Sequence, residues 1–502
     1  MSGFYPVFRG KSVAQRNFIV TLSRSIFSRR EIMNSSQQQP IIDSALDAHL
    51  TIVNAGAGTG KTHTLEQKAQ RHGDLNILYL VYNTSMAAET AQRFPPNVTC
   101  MTFHKMAYAR FGARYWKKLT DALRVTDVMR VLGLDDDFRL GRDVVDCLMA
   151  YCASDLIDFP VRAIAPDRTV AGDEPYLKRV AVLARDLWSK MCNPRSMDVG
   201  MVHDGYLKLF HLSRPKLPYG LILLDEGQDI NPVMLAIVLA QDCPIYLVGD
   251  PNQSIYRFRA CVNALAIPAD RSFDLSDSFR FGPRVADIAN SILAGCKGAS
   301  RAVVGAGFDT EVGRFQGPRY VLCRTKAGVF RRAVQAVENN QPVAFVGGSR
   351  RYPFARMLDA YYLRCSEDDR VRDAFLRGFR TWGQFEQYAE DTSDADARLM
   401  VRTVGEYGDR LPRLIDALSR LERAAGSQEA ALTLTTAHQS KGMTLPRVEL
   451  DNDFLDLTDE DGRIEPQSLD EQEVNLLYVS VTRPVMNLEI NTQLREFLAA
   501  VT

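Results

Sequence analysis

Ala55-Gly56-Ala57-Gly58-Thr59-Gly60-Lys61-Thr62 follows an apolar run containing Leu50, Ile52 and Val53 and leads into a helix-like segment. Strand, glycine-rich turn and helix N-terminus, in that order, make a phosphate-binding loop. The glycines let main-chain N–H groups close around a β-phosphate. Lys61 reaches the β- and γ-oxygens, and the Thr62 hydroxyl can ligate Mg²⁺. The strict pattern has Gly where Ala55 stands. Taken alone, the stretch has a plainer alternative, a glycine-rich turn that binds nothing.

The chain has 502 residues, 46% of them hydrophobic. That is enough for two to four ordinary domains. Its 61 basic and 61 acidic residues cancel, so any groove for nucleic acid has to be a local patch and not a global field. Nine scattered cysteines form no C-x-x-C pair and read as free thiols of a reducing compartment. No run of about 18 apolar residues occurs, so no transmembrane helix and an intracellular protein are expected. Residues 1–32 form a basic extension with no acid before Glu31. It reads as a disordered arm, an organelle presequence, or codons upstream of a start at Met33.

Apolar runs alternate with helical stretches, which predicts an α/β fold with parallel strands. The expected strands are Leu50–Asn54, Ile77–Tyr82, Leu221–Leu224, Ile245–Val248, Tyr320–Cys323, Val343–Val346 and Leu432–Thr435. They fall into two clusters, hence two cores. A first core over 33–275 would carry a helical insertion at about 105–200. A second, over 276–502, would carry a smaller one at about 366–430. Asp451–Glu473 is acidic, contains Gly462 and Pro466, and reads as a surface loop.

Two further stretches carry chemistry. Ile222-Leu223-Leu224-Asp225-Glu226-Gly227-Gln228-Asp229 is an apolar strand ending in acids. Asp225 at the strand end can hold a Mg²⁺ water shell beside the loop, and Glu226 can orient or deprotonate an attacking water. An isolated pair of this kind would read as a solvated acidic loop. Leu247-Val248-Gly249-Asp250-Pro251-Asn252-Gln253-Ser254-Ile255-Tyr256-Arg257-Phe258-Arg259-Ala260 is another apolar strand with a polar end. Gln253 can sense a γ-phosphate. Phe258 and Arg259 interleave an aromatic with a cation, as base stacking and phosphate contact require; a core Phe is the alternative.

With these stand Thr102-Phe103-His104, Ser278-Phe279-Arg280, Thr435-Thr436-Ala437-His438-Gln439-Ser440-Lys441-Gly442 and Asn475-Leu476-Leu477-Tyr478-Val479-Ser480-Val481-Thr482-Arg483. In this order and spacing, over Gln38 to Arg483, the series resembles superfamily 1 DNA helicases of the UvrD/Rep/PcrA type. His203–Lys208 and Glu473–Arg483 are worded most like the F-box DNA helicase branch, although no F-box-like segment is visible.

The resemblance implies two RecA-like parallel-sheet cores of the P-loop NTPase kind, with helical insertions, and ATP and Mg²⁺ in the cleft between them. It implies single-stranded DNA, or DNA with a single-stranded tail, as partner, 3′-to-5′ movement, and a place in DNA repair, recombination or replication. Carried over residue by residue, Arg280 and Arg483 match the arginine fingers and Phe279 the aromatic that stacks on adenine. Gln38, or its neighbour Gln39, matches the reader of adenine's edge. Gln253 matches the γ-phosphate sensor. Thr102, His104, Phe258, Arg259, Thr436 and His438 match the single-strand track, with a buried core histidine as the alternative for His438. The family usually has Glu shortly after the Lys-Gly pair, contacting the nucleotide sugar; Thr444 stands here. Unwinding, stripping of proteins from single strands, and a nucleotide-binding regulatory role with a degenerate motor all remain open at this level.

Overall fold

A computed structural model of the chain describes residues 34–134, 137–165, 170–298, 303–425, 432–457 and 469–501. The basic extension and residues 458–468 of the acidic loop lie outside the described residues.

The first sheet contains β1 (Leu50–Ala55), β2 (Ile77–Leu80), β3 (Val98–Met101), β4 (Leu221–Leu224), β5 (Ile245–Gly249) and β6 (Arg271–Leu275). Its strands run parallel in the order β3-β2-β4-β5-β1-β6. Every residue of β2 and β4 is buried. A parallel sheet covered on both faces needs continuous apolar runs, which is why these strands were legible. The two strands without such a run, β3 and β6, are the sheet's edges. β6 reads Arg-Ser-Phe-Asp-Leu, and only Leu275 is fully buried.

The second sheet contains β7 (Glu311–Val312), β8 (Arg319–Cys323), β9 (Val343–Phe345), β10 (Leu432–Thr436), β11 (Leu445–Leu450) and β12 (Pro484–Glu489). It is also parallel, in the order β7-β12-β11-β8-β10-β9. The expectation of an α/β fold with two parallel-sheet cores therefore holds. Interior strand β11 was missed because Arg447 and Glu449 interrupt its apolar run. The structure accommodates Glu449 by pairing it with Arg319 of β8 at 3.0 Å and with Arg332 at 2.5 Å.

Between β3 and β4 lie helices Val125–Leu132, Phe138–Ala153 and Glu174–Cys192; between β9 and β10 lie Phe354–Arg364, Trp382–Thr392, Ala395–Tyr407 and Leu411–Ala425. These two helical groups pack on each other. Phe138 stands edge-on to Tyr388, ring centres 5.5 Å apart, and lies 6.0 Å from Phe379. Phe375 and Phe385 complete the aromatic seam. One hydrophobic cluster thus runs from the first sheet's helices into those of the second. Truncating a buried Phe costs about 3–5 kcal/mol. Phe138→Ala should therefore lower stability by about that amount in urea unfolding; a loss below about 1 kcal/mol would mean that the seam is not a packed core.

Candidate functional site

The glycine-rich loop joins β1 to helix Lys61–Arg71 at the C-terminal edge of the first sheet. Gly58 and Gly60 both adopt φ +78°, a left-handed conformation that disfavours any side chain. Space is also lacking. A Cβ on Gly58 would lie 2.6 Å from Ser278 Oγ, and one on Gly60 2.7 Å from Gln38 Nε2. Lys61 Nζ donates to the carbonyls of Ala55 and Gly56 at 3.3 and 3.2 Å. The loop therefore folds around its lysine, with Thr62 next in the helix.

β4 ends at this loop and delivers two acids. Asp225 accepts hydrogen bonds from Thr62 Oγ1 at 3.0 Å and from the Tyr79 hydroxyl at 2.7 Å. Burial and the neighbouring Glu226 charge raise its pKa. Glu226 sits at φ +58°, a backbone strain on the order of 1–3 kcal/mol for a non-glycine residue. Burial pushes the Glu226 carboxyl up, but Lys61 and Lys441 outweigh it and hold the group below its ordinary value, as a charged base. Gln228 Nε2 donates to it at 2.6 Å.

Two arginines line the cleft, Arg483 beside the second sheet and Arg280 with its backbone against Gly58. Arg483, 1% exposed, donates to the carbonyls of Val479 and Met443, to Thr482 Oγ1, and across the cleft to Gln253 Oε1 at 3.3 Å. Arg280 donates to the Thr482 carbonyl at 3.1 Å. Burial, and for Arg483 also its neighbour Arg280, push these guanidiniums down to about 10 and about 9. Both stay charged near neutrality, and both feel Glu226. Gln253 also donates to Asp250 Oδ2 at 2.8 Å.

At the rim, the Phe279 amide donates to the Gly58 carbonyl at 2.9 Å, and its ring faces Gly60. Gln38 is buried and donates to the Thr59 carbonyl at 3.2 Å. Gln39 is exposed and bonds Asp43. Of the two glutamines, Gln38 therefore reaches the loop. The donor set fits a nucleoside triphosphate with a divalent cation. Thr62 Oγ1 and Asp225 Oδ2 lie side by side for the metal, and Lys61, Arg280 and Arg483 supply positive charge for the phosphates. Thr444, exposed after Gly442, has no carboxylate for the sugar.

A second surface lies beside the first. The rings of Tyr82 and Tyr256 are stacked 5.6 Å apart and 6° from parallel. Phe258, half exposed, stands edge-on to Tyr256 at 5.9 Å and to His438 at 6.2 Å. Arg259 donates to the Tyr82 hydroxyl. Burial lowers His438 to about 4, so it is neutral at physiological pH. His104 bonds Asp204 at 2.9 Å. Thr102 and Thr436 behave differently from the rest of the expected track. Both are buried N-caps, with hydroxyls accepting from Lys105 N at 3.1 Å and Gln439 N at 3.3 Å. Their demonstrable job is to start the helices that carry His104 and His438.

Sequence reasoning missed Tyr82 and Tyr256; it singled out Lys441, at the end of the Thr435–Gly442 stretch, as joining DNA to nucleotide, but not its contact with Asp229. Tyr256 lay within a quoted stretch, and Tyr82 ends an apolar run; an aromatic just past a strand's C-terminal end was the available signal. Lys441 Nζ donates to Asp229 Oδ2 and to the Gln253 carbonyl, each at 2.5 Å, and lies 5.0 Å from the Tyr256 ring centre. It therefore touches both surfaces at once.

A family model described as "AAA domain" matches residues 38–259. F-box DNA helicase 1 of Gallus gallus is 31% identical over 94% of this chain and 50% of its own length. F-box DNA helicase protein 1 of Schizosaccharomyces pombe is 28% identical over 93% of this chain and 58% of its own. The chain is a homologue of F-box DNA helicases and of DNA helicase II-like proteins. It spans about half the length of the curated F-box helicases it matches. A probable DNA helicase II homolog of Mycoplasma pneumoniae is 26% identical over 49% of this chain and 40% of its own. In this chain Lys61, Asp225, Glu226, Arg280 and Arg483 gather around one cleft. No described helix is long and apolar enough to cross a membrane.

Burial raises Asp229 from 3.8 to about 7 despite the Lys441 contact. Its folded pKa exceeds its unfolded one, so the folded state binds the extra proton between those values. Stability should then fall as pH rises from about 4 to about 7. Asp229→Asn should flatten that part of the stability profile in chemical denaturation; coincident profiles would show that Asp229 is already ionised across the range.

Proposed function

We propose that this chain is an ATP-driven motor on DNA, a helicase or translocase that moves along single-stranded DNA, 3′ to 5′, in DNA repair, recombination or replication. Its partner is single-stranded DNA or a duplex with a single-stranded tail, and it works inside the cell. In this reading the first core covers 33–275, with its insertion near 105–200, and the second covers 276–502, with its insertion near 366–430. The observation that carries the proposal is the cross-cleft contact of Arg483 with Gln253, beside Thr62, Asp225 and Glu226.

The chemistry follows from those groups. Phosphoryl transfer develops charge on the transferred group, and catalysis consists of positioning and electrostatic stabilisation. Lys61 with the loop amides holds the phosphates, while Gln38 and Phe279 hold the base. Thr62 and Asp225 would hold Mg²⁺, which neutralises phosphate charge when bound. Glu226, kept ionised by Lys61 and Lys441, orients the attacking water and takes its proton. Arg280 and Arg483 stabilise the charge that develops on the equatorial oxygens. Arg483 comes from the far side of the cleft, so its contact with the γ-phosphate pulls the cleft shut, and hydrolysis releases it. The strand lies on Phe258, Tyr256, His438, Arg259 and His104. Lys441 and Gln253 link it to the cleft.

A translocase that strips proteins without unwinding uses every one of these residues. Duplex unwinding against protein displacement on one substrate separates the two. Thr444 in place of Glu is the one feature that favours a nucleotide-binding regulator with a degenerate motor.

ATPase rate with and without single-stranded DNA is the primary test. Strong stimulation is expected in the wild type. Lys61→Ala should abolish turnover, Glu226→Gln should bind ATP without hydrolysing it, and Arg483→Ala should lose about a thousandfold or more. ATP binding without any stimulation of the wild type by single strands would favour the regulator. Phe258→Ala should weaken stimulation by DNA more than it weakens the basal rate; an equal loss in both would make Phe258 a structural residue.

A further inference from the structure

Residues 91–120 contain six cations and no acid, in a chain whose 61 basic and 61 acidic residues cancel overall. Two of the six are accounted for. Arg93 pairs with Glu66 at 2.7 Å. Lys118 is buried and donates to the carbonyls of Lys190, Asn193 and Ser196. The other four, Lys105, Arg110, Arg114 and Lys117, are exposed and form no ion pair among the described residues. The next acid along the chain, Asp121, is turned to His203 at 3.4 Å.

Aromatic rings organise three of these cations. The Arg110 guanidinium lies 6.0 Å from the Phe210 ring, Arg114 lies 4.8 Å from Phe111, and Lys117 Nζ lies 5.3 Å from Trp116. Trp116 itself is 66% exposed. Leaving so large a ring in water costs solvation free energy, and four unpaired cations side by side repel one another. Both penalties are relieved by a polyanion that also offers flat π-faces, which is a single strand of nucleic acid. An apolar protein partner would relieve only the first.

The position agrees with the charge. Helix Phe103–Arg110 starts beside His104 and ends at Arg110. Its eight residues span about 12 Å. We propose that Arg110, Arg114 and Trp116 form a second binding site for single-stranded DNA. It continues the path from His104, with the two guanidiniums on successive phosphates and one base on the open face of Trp116. The proposal rests on the reading of the chain as a single-strand motor and extends the strand's footprint beyond the residues matched to the family.

The test is fluorescence anisotropy with labelled oligo-dT of increasing length, using the full chain over a range of salt concentrations. For wild type, affinity should rise a second time once the oligomer outgrows the track. Arg110→Gln/Arg114→Gln should reduce the slope of log K against log salt by about 1.4 on long oligomers, at about 0.7 per phosphate contact for a single strand. Trp116→Ala should weaken long oligomers by about 5- to 150-fold, the range for one base–aromatic stack. Oligomers short enough to fill only the track should bind these variants as they bind wild type, and stimulate ATPase equally. Unchanged slopes and length dependence in the variants would overturn the site while leaving the motor reading intact. A loss confined to the duplex part of tailed substrates would overturn the single-strand assignment in favour of a duplex contact. A wild type that binds no oligo-dT at all would overturn the motor reading and the site together.

Discussion

The guanidinium of Arg483 is the constraint around which the cleft is built. A buried cation is tolerated only when its donors are met and opposite charge lies close by. Arg483 meets that demand from both sheets at once, through Val479, Met443 and Thr482 on its own side and Gln253 on the other. The compensating negative charge is Glu226, on the first sheet. Neither core alone can satisfy this residue, so the closed arrangement of the two sheets and the electrostatics of the cleft are one requirement. Tyr478 adds a second tie of the same kind. Its hydroxyl accepts from the Ala57 amide of the loop and donates to Asp250, both in the first core.

The same logic joins the cleft to the aromatic surface. Gln253 contacts Arg483 by its side chain and Lys441 by its carbonyl. Lys441 also holds Asp229, four residues beyond Asp225, and lies over Tyr256. A change at either surface therefore meets a buried ion pair and a hydrogen-bonded main chain, which do not deform gradually. Coupling of this kind needs a network with discrete arrangements, and the compact set Gln253, Lys441, Asp229 and Tyr256 has that character. The seam at Phe138 and Tyr388 joins the two halves a second time, far along the chain from the cleft. Any opening has to pivot against it or part it.

Much of this was legible before the structure. Interior strands β2, β4 and β5 announce themselves because both faces of a parallel sheet are covered, leaving no polar positions. Strands β3 and β6 did not, because an edge faces solvent on one side and takes Thr, Ser, Arg and Asp. Strand β11 did not, because the charge on Glu449 is neutralised by arginines distant in sequence. At the cleft, local motifs pointed to Lys61, Thr62, Asp225 and Glu226, since each stands in a short strand-to-turn stretch whose residue order is itself the signal. Thr102 and Thr436 show the limit of that approach. A threonine before a helix looks the same whether its hydroxyl faces a ligand or caps the helix, and here both hydroxyls cap.

By itself, then, the sequence determined the glycine-rich turn between β1 and its helix, the acids at the end of β4, two parallel-sheet cores and the resemblance to superfamily 1 helicases. All of these depend on short stretches whose periodicity or spacing has a direct physical meaning. Only the tertiary structure decided which of Gln38 and Gln39 reaches the loop, that Arg280 and Arg483 share one acid, that Lys441 bridges Asp229 and Gln253, and that the helical insertions fuse through Phe138 and Tyr388. Each of these is a contact between groups tens to hundreds of residues apart or a choice between adjacent side chains. Burial and charge compensation in three dimensions settle such matters, and no local pattern encodes them.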